Sequence, residues 1–412
     1  MAITANSPST PTSLKPLKPE ELYFDEKDTS DSGKFKFLLS ILKKVIGVGD
    51  ILNLRISLPS QVLDPIPNLE YFHWLDRPDY FACLSEPDDP VERFIGVLRY
   101  SFSRYVKYTK KLAKPYNSVL GEHFLCHWEV NLPNTDRQVT VNMVNEQTSH
   151  HPPVSAFWYE CPETGVTAQG HDHLSAKFTG TSVKVVPGNL AKGVYINLSK
   201  RDNEEYHLTH GAAYIHGFLT GNLGMGLSDK VIVSCPLTGI RAVYEFKSES
   251  WIGKNKYLFE GKVFRFKPTF ENGTTEADLP PDSFKLSDVS DSDLIAKMHG
   301  SWRGKVFITR KDSKESELLV DLESLEALPK IVKPQEEMGP LESRNVWQEV
   351  TTNILSREFS KATKAKLAIE EQQREKTRQR TENGAPWSPT FFYTKAGEEH
   401  RPYLKPNVTP KY

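Results

Sequence analysis

The chain has 412 residues, of which 38% are hydrophobic, 11% aromatic and 25% charged, enough apolar material for one large domain or two ordinary ones and too much for wholesale disorder. Lysine plus arginine number 52 against 53 acidic residues, so no global field favours nucleic acid or a membrane, and any anion-binding surface has to be local. The four cysteines, Cys83, Cys126, Cys161 and Cys235, contain no Cys-x-x-Cys pair and read as reduced thiols of a cytosolic protein.

Residues 1–31 read as a disordered tail rich in Pro, Ser, Thr and acid, without the apolar core of a secretory signal in its first 18 residues. Tyr23-Phe24-Asp25 stands out within it, because a polar tail has little need of adjacent aromatics. Residues 32–58 form the next segment. In it Phe35, Leu38, Leu39, Leu42, Val45 and Ile46 recur at helical spacing over 34–48, with Gly47 and Gly49 ending the run. Lys36, Lys43 and Lys44 lie off the centre of that stripe. A core-facing helix and a lid that touches a lipid surface both fit the pattern. The stretch is too short and too charged to span a bilayer, so the expectation is a soluble protein with peripheral membrane contact.

Pro59, Pro65 and Pro67 open a domain expected over 59–412, with a helical region at 66–113. Strand-like runs follow, at 139–144, 182–186, 193–198, 212–219, 230–235, 240–246, 256–266 and 304–309. Consecutive strands joined by short turns predict an antiparallel meander over 118–311, not a βαβ fold. A run this long curls or closes, and a barrel of this size has room for a ligand. Residues 271–295 read as an acidic surface loop, and 340–395 as a C-terminal helical region. The expected class is therefore mainly β with flanking helices, α+β, ending in a long C-terminal helix.

Three segments carry candidate chemistry. Residues 145–154 read Asn-Glu-Gln-Thr-Ser-His-His-Pro-Pro-Val. The double proline excludes helix or central strand after His150 and His151, leaving a rigid strand end that presents two imidazoles. Such a pair serves structure or donates hydrogen bonds to an anion. Residues 114–122 read Lys-Pro-Tyr-Asn-Ser-Val-Leu-Gly-Glu. Here Lys114 and Asn117 are either parts of a capped turn or a point charge beside a directional donor, which is what a phosphate requires. Lys366, Glu370 and Arg374 fall at i, i+4 and i+8 of the last helix, within roughly 80° of arc and about 12 Å of axis. By themselves they read as a solvated ion-pair ladder. His171 and His173 with the His150 pair could suggest a metallohydrolase, but the spacing matches no familiar ligand pattern. No metal and no cofactor is expected, and no enzymatic activity.

Together these segments resemble the oxysterol-binding-protein-related lipid transfer family, short fungal type. Residues 146–153 are similar to its fingerprint, with Thr148 in place of the usual Val. Residues 114–122 match a second block with Ser118 in place of Pro, and residues 340–344 with Trp347 match a third. The blocks run in family order over about 34–395. The resemblance implies a large incomplete antiparallel β-barrel around a hydrophobic lipid tunnel, closed by an N-terminal helical lid. It also implies exchange of phosphatidylinositol 4-phosphate for a neutral or structural lipid between membranes. The headgroup would lie among Lys114, Asn117, His150, His151, Lys366 and Arg374, with Glu370 orienting the cations. Trp74 and Tyr105 would line the tunnel, and a sterol would be the exchanged lipid. Arg104 and Asp172 stand where neutral polar residues would face a sterol hydroxyl, which leaves room for phosphatidylserine. A phosphoinositide sensor without bulk transport needs the same pocket. Partners on this reading are membrane surfaces of the endoplasmic reticulum and other organelles, with an endoplasmic-reticulum receptor reached through Tyr23-Phe24-Asp25, and no nucleic acid.

Overall fold

The computed structural model describes residues 60, 63–109, 114–133, 135–217, 224–247, 257–268 and 279–410. The tail expected at 1–31, its Tyr23-Phe24-Asp25 patch and the lid segment expected at 32–58 lie outside the described residues.

Between residues 66 and 109 the chain forms three helices and a 3-10 turn rather than one long helix: α1 Asn68–Tyr71, α2 Pro78–Ala82 and α3 Pro90–Ser103. The prolines set these starts. Pro78 and Pro90 occupy first-turn positions, where a missing N–H costs nothing. Asp89 caps α3 by accepting from the backbone N–H groups of Val91 and Glu92 at 2.6 and 3.2 Å. Phe94, Val97, Leu98 and Phe102 then recur on its buried face.

Among the described residues, fifteen strands follow in one antiparallel sheet. Its path begins β1 His123–Asn131, β2 Gln138–His150, β3 Pro153–Cys161 and β4 Val166–Phe178. It continues through β6 Val194–Leu198, β7 Glu204–Leu208, β10 Lys230–Cys235 and β11 Ile240–Phe246. It ends with β12 Leu258–Arg265, β13 Leu294–Ser301, β14 Lys305–Arg310 and β15 Glu317–Asp321. Strands β5 Val183–Pro187, β8 Ala212–His216 and β9 Gly224–Ser228 form a side flap on β4. Between β10 and β11, Gly239 closes the turn that begins at Pro236, with a φ of 64° that favours glycine.

In β1 the inward residues Phe124, Cys126, Trp128 and Val130 alternate with more exposed ones. They join α3 and the inner faces of the other strands in one core. The barrel is incomplete: β1 and β15 end the path unpaired with each other. The returning chain covers the β1 edge instead, with His127 and Ile331 exchanging backbone hydrogen bonds at 3.0 and 2.9 Å and His123 donating to Leu341 at 3.0 Å.

After the barrel come α4 Ser343–Val346, α5 Gln348–Leu355 and α6 Phe359–Glu382. Ala362 and Ala365 of α6 pack with Val350 and Ile354 of α5, and with Tyr116 and Trp347, in a second core. No described helix is long and apolar enough to cross a membrane.

Candidate functional site

The second core fixes the loop that bears Lys114 and Asn117. Tyr116 is fully buried, stacks on Trp347 at 4.9 Å between ring centroids and bonds Thr351 through its hydroxyl at 3.0 Å. The backbone around it is held by Asp64, whose N–H donates to the Lys114 carbonyl at 2.9 Å and whose carboxylate accepts from the Lys114 N–H at 2.9 Å. With Tyr116 inward, Lys114 and Asn117 face outward. The Lys114 ammonium donates to Asn117 Oδ1 at 2.9 Å and to the Pro115 carbonyl at 3.1 Å.

The next residue of that loop reaches the histidines. The Ser118 carbonyl lies 3.0 Å from His150 Nδ1, and because a carbonyl only accepts, the hydrogen of the neutral ring sits on Nδ1. His150 is the last residue of β2 and Pro153 the first of β3, so His151 and Pro152 form a tight turn, with a cis peptide between them. Adjacent strand residues would point to opposite faces. The turn removes that restriction, and the two imidazoles lie 4.5 Å apart. His150 is half-buried and His151 exposed.

The third component is α6. Lys366 is buried and donates to Glu370 at 2.6 Å. Desolvation by the surrounding protein and the Lys366 charge pull the Lys114 ammonium down to about 8. Lys114 is open to solvent on its outer side, so the like charge of Lys366 is the firmer of the two causes. Two cations held this close form a site that favours an anion. Arg374 lies two turns along the same helix, exposed, with its guanidinium on Glu371 at 2.7 and 2.9 Å. Lys114, Asn117, His150, His151, Lys366 and Glu370 are thus brought together, while Arg374 sits at the edge in a local ion pair.

What ties the Lys114 loop to the helices after the barrel is a residue to which the sequence gives no role. Glu122 is fully buried and accepts from Val119 N–H at 2.9 Å, Trp347 Nε1 at 3.0 Å, Ser343 Oγ at 2.7 Å and Ser118 Oγ at 3.3 Å. Burial pushes its carboxyl up, and the four donors pull it back. The signal was an acid between an apolar pair and a strand, Leu120-Gly121-Glu122-His123-Phe124. Glu146 does similar service on the other side of β2, accepting from the backbone N–H groups of Thr390 and Phe391 at 2.5 and 2.8 Å. It thereby ties the C-terminal segment to the histidine strand.

Trp74 and Tyr105 lie away from this cluster, towards the barrel interior. Trp74 stacks on His210 at 5.1 Å, and Tyr105 is buried edge-on to Phe246 and Trp302. Arg104 lies over both the Trp74 and Tyr105 rings, at 5.1 and 5.2 Å. Desolvation pushes the Asp172 carboxyl up to about 7, against the pull of Lys107 and the Trp74 indole. His171 is buried, and desolvation lowers its imidazole to about 4. Among the described residues no three His, Cys, Asp or Glu side chains are placed to hold a metal.

Comparison with known proteins decides the family. The family model for oxysterol-binding protein matches residues 37–278. This chain belongs to the oxysterol-binding protein family. The family member "oxysterol-binding protein-like protein 1" of Schizosaccharomyces pombe is 35% identical over 94% of this chain and 92% of its own length. Oxysterol-binding protein-like protein OBPalpha of Candida albicans is 30% identical over 89% and 79%. Two solved structures share the fold. The Osh1 ORD domain in complex with cholesterol has a TM-score of 0.64 at 20% identity, covering 90% of this chain and 86% of that one. The Saccharomyces cerevisiae Osh3 ORD in complex with PI(4)P has a TM-score of 0.65 at 19% identity, covering 89% and 90%.

Proposed function

We propose that this family member is a lipid carrier that binds the headgroup of phosphatidylinositol 4-phosphate at the histidine turn and exchanges that lipid for a second, mostly apolar one of the sterol class. The observation that carries the reading is the meeting of Lys114, Asn117, the His150–His151 pair and Lys366, from three distant segments, in one cation-rich cluster. A phosphomonoester with its neighbouring diester presents several charged oxygens, which clustered Lys, His and amide donors answer with charge-assisted bonds. Arg374 would add positive charge from the outer rim while it stays on Glu371.

No bond is made or broken in this function, so the site needs orientation and charge rather than a nucleophile. The apolar part of each lipid would enter the barrel, gaining roughly 0.8 kcal/mol per buried CH₂. On this reading residues 32–58 act as a lid, and the protein works in the cytoplasm at the surface of the endoplasmic reticulum and other membranes.

The test is transport of sterol between liposomes, with and without phosphatidylinositol 4-phosphate in the acceptor. Wild-type protein is expected to speed counter-transport, and His150→Ala/His151→Ala to abolish it while folding normally. Normal extraction of the phosphoinositide by the double variant would overturn the site assignment.

A further inference from the structure

The interior end of the barrel contains a charge with no counter-ion among the described residues. Arg104, at the C-terminus of α3, is 3% exposed. Its Nη2 donates to the Tyr105 hydroxyl at 3.2 Å, while Nε and Nη1 are buried with no hydrogen-bond acceptor among the described residues. Other arginines of this chain show what a satisfied guanidinium looks like here. Arg93 donates from Nε to Glu204 at 2.8 Å, Arg344 from Nε to Glu70 at 3.0 Å, and Arg401 from Nη1 to Glu205 at 3.0 Å. The nearby acids serve a different cation: Asp76 lies 3.3 Å from Lys107, and Asp172 also feels Lys107.

Two further polar atoms beside Arg104 share its condition. The Tyr100 hydroxyl and His210 Nε2 are buried without a hydrogen-bond partner among the described residues. Both residues feel the Arg104 charge, and burial together with that charge keeps His210 neutral, so its ring adds no second cation and can turn an N–H to an acceptor in the tautomer that carries the hydrogen on Nε2. The faces of Trp74 and Tyr105 and the end of α3 offset part of the guanidinium charge. None of these supplies an oxygen to the two open nitrogens. The group that fits is rich in acceptors and carries negative charge. A carboxylate brings two oxygens and about four lone-pair sites, and donates nothing. A lone hydroxyl brings one oxygen and a hydrogen that competes with the surrounding donors.

We infer that the second lipid carried by this protein has an anionic, acceptor-only oxygen group at its innermost end, a carboxylate on a sterol-like or linear hydrocarbon body, bound by Arg104, Tyr100 and His210. This rests on the phosphoinositide-carrier part of the reading above and replaces its neutral sterol with an acidic lipid.

The experiment measures extraction of two matched probes, oleic acid and oleyl alcohol, from neutral vesicles well above the carboxyl pKa, alongside extraction of phosphatidylinositol 4-phosphate. Wild-type protein is expected to prefer the acid by about tenfold, the effect of one charge-assisted hydrogen bond. Arg104→Gln should remove that preference, with phosphoinositide extraction read in parallel to show that the variant still loads lipid. Equal extraction of the two probes by wild type overturns the inference, as does an acid preference that Arg104→Gln retains. Phosphoinositide extraction with neither probe taken up also overturns it, while leaving the carrier reading intact. Failure to extract any of the three removes the carrier reading first, and the inference with it. If Arg104→Gln does not fold, the wild-type ratio and Arg104→Lys, which keeps the charge, decide the matter.

Discussion

Trp347 donates its indole N–H to Glu122 Oε2 at 3.0 Å, across 225 residues of sequence. That bond joins the helix following the barrel to the turn preceding it, and the same carboxylate holds the Ser118 side chain whose carbonyl meets His150. The proposed headgroup site is therefore supported from behind by a buried acid.

Replacing Glu122 with Ala leaves four donors facing an empty, buried position. The expected cost is about 3 kcal/mol, since buried unsatisfied groups each cost about 1–3 kcal/mol and the surroundings relax in part. Urea unfolding should show the loss, with a matching fall in phosphoinositide extraction. Glu122→Gln keeps one acceptor oxygen and should fall between the two. An unchanged urea midpoint for the alanine variant would refute the supporting role.

Lys366 and Arg374 should separate cleanly in binding. Lys366 is buried beside Lys114, so Lys366→Ala is expected to weaken phosphoinositide binding about tenfold or more. Arg374 is exposed and occupied by Glu371, and Arg374→Ala should cost about threefold or less. Equal losses in an equilibrium binding titration would show that the arginine swings fully into the site.

The lowered Lys114 gives binding a pH dependence. The ammonium is charged below about 8 and neutral above it, and an anionic ligand favours the charged form. Affinity should therefore fall as pH rises through that value. Lys114→Arg keeps its charge over the whole range, so its profile should be flat there. A wild-type profile as flat as that of the arginine variant would rule out Lys114 as the titrating contact.

Asp172 makes the opposite kind of contribution, to stability. Its folded carboxyl is pushed up to about 7, above the usual carboxylate value. The native state therefore binds more protons than the unfolded chain between those values, and stability declines as pH rises through them. Asp172→Asn removes this penalty and should stabilise the protein by up to about 4 kcal/mol above pH 7, with little effect below the unfolded pKa. Thermal melts of both proteins at several pH values would expose the difference; a constant gap at all pH values contradicts the assignment.

Glu146→Ala should loosen the C-terminal segment before it harms the barrel. The Thr390 and Phe391 N–H groups lose their shared acceptor, at about 1–3 kcal/mol. Amide exchange should accelerate over residues 388–405 and stay slow in β2 and β3. Uniform acceleration would mean that the carboxylate supports the barrel itself.

Local rules in the sequence were enough for a mainly β domain with a curling antiparallel sheet. The alternation in residues 139–144 and the proline-glycine turn at 236–239 already carry it, because strand period and turn chemistry are properties of neighbouring residues. Strand β4 was harder to read, since Gln169, His171, Asp172 and His173 interrupt its apolar pattern, and the single helical region at 66–113 resolved into pieces at its prolines. The candidate site residues were also legible, as odd local chemistry: two histidines before two prolines, and a lysine before a proline and an asparagine. Which of them meet was not. That depended on Tyr116 and Trp347 stacking in the second core, on Glu122 collecting donors from its own loop and from residues 343–347, and on a two-residue turn bringing both imidazoles together. Sequence separation carries no information about such contacts. They exist because burying those rings and satisfying that carboxylate leaves the chain one arrangement, and the exposed Lys114, Asn117 and His151 go where it puts them.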